Sequence, residues 1–175
     1  MSSDLWSFSL HTYAQPGVEA ACLTLQAQGL NVCLLLCGLW LAERGVACSE
    51  QRLQQLREVV EPWDMEVVAP LRALRAQWKT TARADAELNA LREQIKALEL
   101  EAERQLLLRL ERLARDWPQD QATDVSAWLA GVAANAQHLA RGAAAPTGGA
   151  GPPPQGMRGG GGGGGGGGKR GLGGG

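Results

Sequence analysis

The stretch LNVCLLLCGLWLAER, Leu30 to Arg44, decides how the rest of this chain must fold. Between Val32 and Ala42 only Gly38 and the thiols Cys33 and Cys37 are not plainly apolar, so a helix here is hydrophobic on every face and has to be wrapped. Asn31 stands where an N-cap belongs and Gly45 where a left-handed residue past the C-terminus belongs, which gives a segment of about three to four turns. A bilayer needs about 20 apolar residues. The segment therefore reads as the central rod of a helical domain rather than as a membrane span.

Upstream, Asp4 or Ser3 can cap a first helix running to about Ala14, with Leu5, Trp6, Phe8, Leu10 and Tyr13 as its apolar content. Pro16 suits the first turn of a second helix and Gly29 lies just past its end; Val18, Ala21, Cys22 and Leu25 keep the spacing of one stripe, expected to lie on the rod. Downstream, Ser49 can cap a fourth helix whose Glu50 complements the dipole and whose Leu53, Leu56, Val59 and Val60 share a face. These four helices, residues 1–61, are expected to form an N-terminal cluster around the rod.

Pro62 either ends the fourth helix or opens the fifth at its first turn. Pro70 falls inside MEVVAPLRALRAQW, where a missing backbone donor and a ring clash predict a kink near Ala69. From Leu71 to Trp117 no Gly or Pro occurs across 47 residues. The weakest helical spot is KTTARAD, Lys79 to Asp85, where two adjacent β-branched residues precede an Asp cap. A break there makes a long antiparallel hairpin over residues 62–117, with arms Pro62 to Thr80 and Asp85 to Asp116, the second about 48 Å long. Its expected seam is Leu88, Leu91, Ile95, Leu98, Ala102, Leu106, Leu110, Leu113 and Trp117, a coiled-coil-like spacing with a stutter. Leu100, Leu107 and Leu108 lie off it, so the distal half is expected to meet more than one neighbour.

Pro118 closes the long arm, and Thr123 or Asp124 opens a last amphipathic helix, residues 123–141, with Val125, Trp128, Leu129, Val132, Ala136 and Leu139 on one face and Gly142 at its end. Residues 142–175 are Ala, Pro and Gly with a run of ten glycines, a composition with nothing to bury, and are expected to be a disordered tail. The fold class is all-α: residues 1–141 as one helical domain, with the cluster, the hairpin and the final helix in that order.

Three of the 17 basic residues, Arg158, Lys169 and Arg170, lie in the tail, which leaves 14 against 18 acidic residues in the domain. A mildly acidic domain is not built for nonspecific binding to nucleic acid. MSSDLWSFSLH carries an acid where a signal peptide needs basic residues, so the expectation is a cytoplasmic protein with Cys22, Cys33, Cys37 and Cys48 as free thiols.

No G-x-S-x-G, H-E-x-x-H or Walker lysine motif occurs, and the glycine tail matches a dinucleotide fingerprint only trivially. No catalytic residue, metal ligand or cofactor is assigned. Arg72, Arg75, Lys79 and Arg83 form a basic stripe beside Trp78, and an antiparallel hairpin would bring Arg72 opposite Glu99 on the other arm. Trp63 and Trp78 are the tryptophans expected at the surface. The first expectation is a noncatalytic protein-interaction or adaptor module that presents Trp63, Arg72, Arg75, Trp78, Glu99, Glu101 and Glu103 to an unidentified protein, or pairs its long helix with a second copy. One alternative is a small-ligand or metal site in the N-terminal cluster using Cys33, Cys37 and His11, against which stands the plainer reading of buried cysteine as a small hydrophobe. Another is weak RNA association through Arg158, Lys169 and Arg170.

Three separated blocks, LWSFSLHTYAQPGVEAACLTLQAQGLNVCLLLCGLWLAERG, WDMEVVAPLRALRAQWK and KALELEAERQ, occur in order. Together they resemble a small proteobacterial family of helical proteins known only as a domain of unknown function, over about Leu5 to Leu113. The resemblance implies an all-helical fold and brings no activity, cofactor or partner with it.

Overall fold

The computed structural model describes residues 4–143, which lie in one compact unit. Seven α-helices and no strand occur among the described residues: α1 Leu5–Tyr13, α2 Val18–Ala27, α3 Val32–Glu43, α4 Glu50–Trp63, α5 Ala69–Gln77, α6 Ala86–Ala114 and α7 Val125–Ala143. The tail expected to be disordered lies outside the described residues apart from its first two positions, since α7 runs one residue past Gly142.

Helix starts follow local chemistry. The side chains of Asp4, Asn31, Ser49, Asp85 and Asp124 each accept a hydrogen bond from the backbone N–H three residues on, at 2.8, 3.1, 3.3, 2.9 and 2.9 Å. Each cap satisfies a donor that the helix itself leaves free. Pro16 is the exception: α2 begins two residues later, at Val18, behind a left-handed Gly17, so the proline belongs to the turn. Gly45 is required twice over. Its φ is 69°, and an added Cβ would lie 2.4 Å from the Gln121 carbonyl oxygen, on the loop whose Gln121 N–H donates to Gly45 O at 3.0 Å.

Of the eleven residues from Val32 to Ala42, all but Val32 and Leu39 are buried, with Cys37, Trp40, Leu41 and Ala42 at 1% exposure or less. The cover differs from expectation. α2 buries only Cys22, and it touches the rod from the edge; the main wrapping comes from Trp128 and Val132 of α7, from Leu106, Leu107, Leu110 and Ala114 of α6, and from Leu5, Leu53, Leu56 and Val60 of α1 and α4. A rod that is apolar all round needs more surface than three short helices supply, and the distal half of the hairpin provides it. α7 packs against the rod at Gly38, where an added Cβ would lie 3.6 Å from Trp128 Cβ, an ordinary contact distance. On α7, Val125 and Leu129 are more than a third exposed although they share the apolar spacing, and the side chain of Leu139 lies outside the described residues.

The hairpin breaks within the expected segment: α5 ends at Gln77, a 3-10 turn spans Thr81–Arg83, and Asp85 caps α6. At 29 residues α6 is about 43 Å long. Pro62 neither ends α4 nor opens α5. The chain stays helical through it and widens into a π-turn, Asp64–Val68, in which the Ala69 N–H donates to the Asp64 carbonyl five residues back. The irregularity assigned to Ala69 therefore lies in the turn before it, and Pro70 falls in the first turn of α5, where its missing N–H is tolerated.

The seam of α6 is also corrected. Its proximal half turns Leu88, Arg92, Ile95 and Glu99 toward α5, while Leu91 and Leu98 are 50% and 53% exposed. From Ala102 onward the expected positions Ala102, Leu106 and Leu110 are buried, together with Leu107 from off the seam.

Candidate functional site

The π-turn aims one carboxylate inward. Asp64 Oδ1 accepts from Asn31 Nδ2 at 3.1 Å, so the residue that caps the rod through its oxygen also holds Asp64 through its nitrogen. Opposite, α5 and α6 bring four charged side chains together. Arg72 Nε donates to Glu99 Oε1 at 3.2 Å and Arg72 Nη2 to Glu103 Oε1 at 3.1 Å. Arg75 grips Glu99 through Nε and through Nη2, the latter at 3.3 Å, and Arg92 Nε donates to the Arg75 carbonyl at 3.0 Å. Gln26 of α2 completes the ring: with its amide oxygen turned toward Arg72, it accepts from that guanidinium at 2.9 to 3.3 Å.

The electrostatics follow from burial. Glu99 is 6% exposed and held by two guanidinium groups. Burial pushes the Asp64 and Glu103 carboxyls up from their ordinary values, with Arg72 pulling each of them back. The hydrogen bond to Glu99 raises Arg75 further. A cavity of about 180 Å³ opens among Gln26, Asn31, Asp64, Arg72 and Glu103. Perturbed carboxyls around a cavity beside a π-turn are the arrangement that functional sites favour.

This cavity shares Gln26, Val32, Cys33 and Glu103 with a larger groove of about 410 Å³ between α1, α2, α3 and α6. The groove is lined by buried Leu36 and Leu107, by exposed Leu10 and Leu100 and by half-buried Trp6 and Tyr13. Ser9 of α1 lines it, is 4% exposed, and its hydroxyl has no hydrogen-bond partner among the described residues.

Of the residues assigned to an interaction surface from sequence, Arg72, Arg75, Glu99 and Glu103 are drawn into one network and neutralise one another. Glu101 lies outside it, exposed, held by Gln105 at 2.8 Å and Arg104 at 3.5 Å. Trp63 is not a free surface ring. Its indole N–H donates to the Ala102 carbonyl at 2.9 Å, and Arg109 covers its face at 3.9 Å. Trp78 is half-buried at the end of α5.

Cys37 sits wholly inside the rod's packing and Cys33 is buried where it lines the cavity and the groove; burial pushes both thiols up, away from the thiolate that a metal needs. His11 is exposed and turned toward Gln15, so the three residues of the metal alternative are not brought together; no group of three metal-ligating side chains occurs among the described residues. Arg158, Lys169 and Arg170 lie outside the described residues. No described helix is long and apolar enough to cross a membrane.

The sequence marks Asn31 only as a cap, and no motif points to Asp64, Gln26 or Ser9. Asp64 carries no local signal, because its partners are 33 and 8 residues away. Ser9 does: it stands between Leu5 and Tyr13 at i, i+4, i+8, a polar residue within an apolar stripe.

No curated protein and no solved structure matches the chain. One family model does, over residues 4–110, which takes in the rod, the π-turn, the charge network and the groove. The chain belongs to that family, described as protein of unknown function (DUF2390).

Proposed function

We propose that this chain is a noncatalytic interaction module whose long helix receives an amphipathic helix of a partner protein along the flank marked by Leu91 and Leu98. The observation that carries the reading is an inversion. In residues 86–99, α6 turns Arg92 and Glu99, with Leu88 and Ile95 beside them, toward α5 and leaves Leu91 and Leu98 half exposed. Placing a charge network inside and leucine outside gives up burial that a pairing through Leu91 and Leu98 would have supplied, and such an arrangement is rarely the most stable one. The two leucines are seven residues apart, the repeat at which a second helix sets its own apolar residues. Glu87 and Glu101 border them and give the surface a polar rim. Because Arg72, Arg75, Glu99 and Glu103 are answered within the chain, the partner is recognised by shape and apolar contact more than by the charges of the hairpin.

A photoreactive amino acid placed at position 98, and separately at exposed Gln54 on α4, tests this in cells that make the protein. A discrete crosslinked product from position 98 and none from position 54 is expected, lost when Leu91→Glu is added. A product of twice the chain's mass identifies the partner as a second copy. Equal, diffuse labelling from both positions sinks the reading.

A further inference from the structure

We infer that the groove between α1, α2, α3 and α6 is a binding site for a small amphipathic amine, its apolar body lying on Leu36, Leu100 and Leu107 and its ammonium group among Ser9, Tyr13, Glu19 and Glu103. Three independent observations support this. The groove has the volume of a small-molecule site, about 410 Å³, and its floor and walls are mostly leucine and aromatic side chains. Its charged lining is acidic: Glu19, exposed at the surface, and Glu103, one of whose oxygens is held by Arg72 at 3.1 Å, line it, and no Lys, Arg or His does. The Ser9 hydroxyl is buried in it without a partner, a defect that a bound hydrogen-bond donor repairs.

The aromatic rings fit the same ligand. Trp6 and Tyr13 line the groove, and a cation beside their faces is attracted by the ring quadrupole. Arg104 already occupies one such position, 5.6 Å from the Trp6 ring centre. Around Tyr13 the field is negative: after burial, the carboxylates of Glu19 and Glu103 oppose ionisation of its phenol. An anionic ligand would face the same opposition. A neutral alcohol of equal length would gain the apolar contacts and one hydrogen bond, without the charge-assisted ones that an ammonium makes with carboxylates.

Titration calorimetry of the full chain at pH 7 with octylamine, octanol and octanoate, each below its aggregation limit, reads the difference. Octylamine is expected to bind at one site, about tenfold more tightly than octanol, with octanoate weakest. Glu19→Gln, at an exposed position at the mouth, is expected to lower octylamine affinity severalfold and leave octanol unchanged. Leu100→Trp fills the groove from its exposed side without touching the core, and is expected to abolish binding of all three. Ser9→Leu is expected to do the same from within, and Leu100→Trp decides the matter if that variant fails to fold. Octanoate or octanol binding as tightly as octylamine overturns the ligand class, and the absence of binding by any of the three overturns the site.

Discussion

Residues 86–98 and 99–114 belong to one uninterrupted helix, yet Leu106 and Leu110 are wholly buried while Leu91 and Leu98 stand half exposed. Leucine is dense in both segments, so hydrophobicity does not separate them. Cover does. Around the distal segment, α1, α3 and α4 converge and the rod demands apolar partners on every side. Beside the proximal segment there is α5, nine residues long and with none of them fully buried, followed by a 3-10 turn. A single short helix can cover only one strip of its neighbour. Here that strip carries Leu88, Arg92, Ile95 and Glu99: the guanidinium groups of Arg72 and Arg75 on α5 hold Glu99, and the Arg75 carbonyl accepts from Arg92. A helix face is thus core or surface according to what lies opposite, and α6 is both along its length.

The contrast can be broken most strongly from the distal side. Leu110→Ala removes a side chain with no exposure and is expected to cost about 3 kcal/mol of stability in urea unfolding, against less than about 0.5 kcal/mol for the same truncation at Leu98. Equal losses would show that the proximal segment is covered in solution by something outside the chain.

A smaller effect is expected from the charge network. Glu99→Ala leaves two guanidinium groups facing each other around a vacated buried site. Since both arginines are about 30% exposed, the loss is put at about 2 kcal/mol, below the range for a fully buried pair. The triple variant Arg72→Leu, Arg75→Leu, Glu99→Leu should recover most of it. Failure to recover would mean that the network orients α5 as well as neutralising itself.

The smallest effect is a pH dependence. Asp64 has its folded-state pKa raised, chiefly by burial, so over the window from about pH 4 up to that raised value the folded chain holds a proton the unfolded chain has released. Stability contributed by this group therefore falls as pH rises through the window and is lowest above it. Asp64→Asn keeps an oxygen for the Asn31 amide and removes the titration. Relative to the parent it should gain stability between pH 4 and pH 7, and a difference that stays flat would show that Arg72 outweighs burial at this site.

The parts legible in sequence were those whose cause is local. The caps Asn31, Ser49 and Asp85, the caps narrowed to Asp4 or Ser3 and to Asp124 or Thr123, the break between Lys79 and Asp85 and the apolar rod each depend on residues within about one turn of one another. The pairing of Arg72 with Glu99 was also legible, because an antiparallel hairpin with a known turn fixes which positions face each other. The π-turn was half legible: two prolines eight residues apart signalled a disturbed helix, but the disturbance settled ahead of Pro70, where the Asp64 carbonyl could still find a donor. Apolar spacing alone does not give the inward face of α6, because the arginines on α5 that are salt-bridged to Glu99 select the neighbouring face. Trp63 was placed at the surface for want of any sign that Ala102 and Arg109 would enclose it.

By itself, then, the sequence determined where the capped helices begin to within a residue, that the fold is all-helical, and that one helix must be enclosed, since capping and all-round hydrophobicity act over a few residues and need no partner to be recognised. Only the tertiary structure decided which helices do the enclosing, which face of α6 turns inward, and that Ser9, Glu19 and Glu103 line one groove while Asn31, Asp64 and Arg72 line the cavity beside it. Those outcomes depend on side chains tens of residues apart competing for the same space, and that competition is resolved only when the chain has closed on itself.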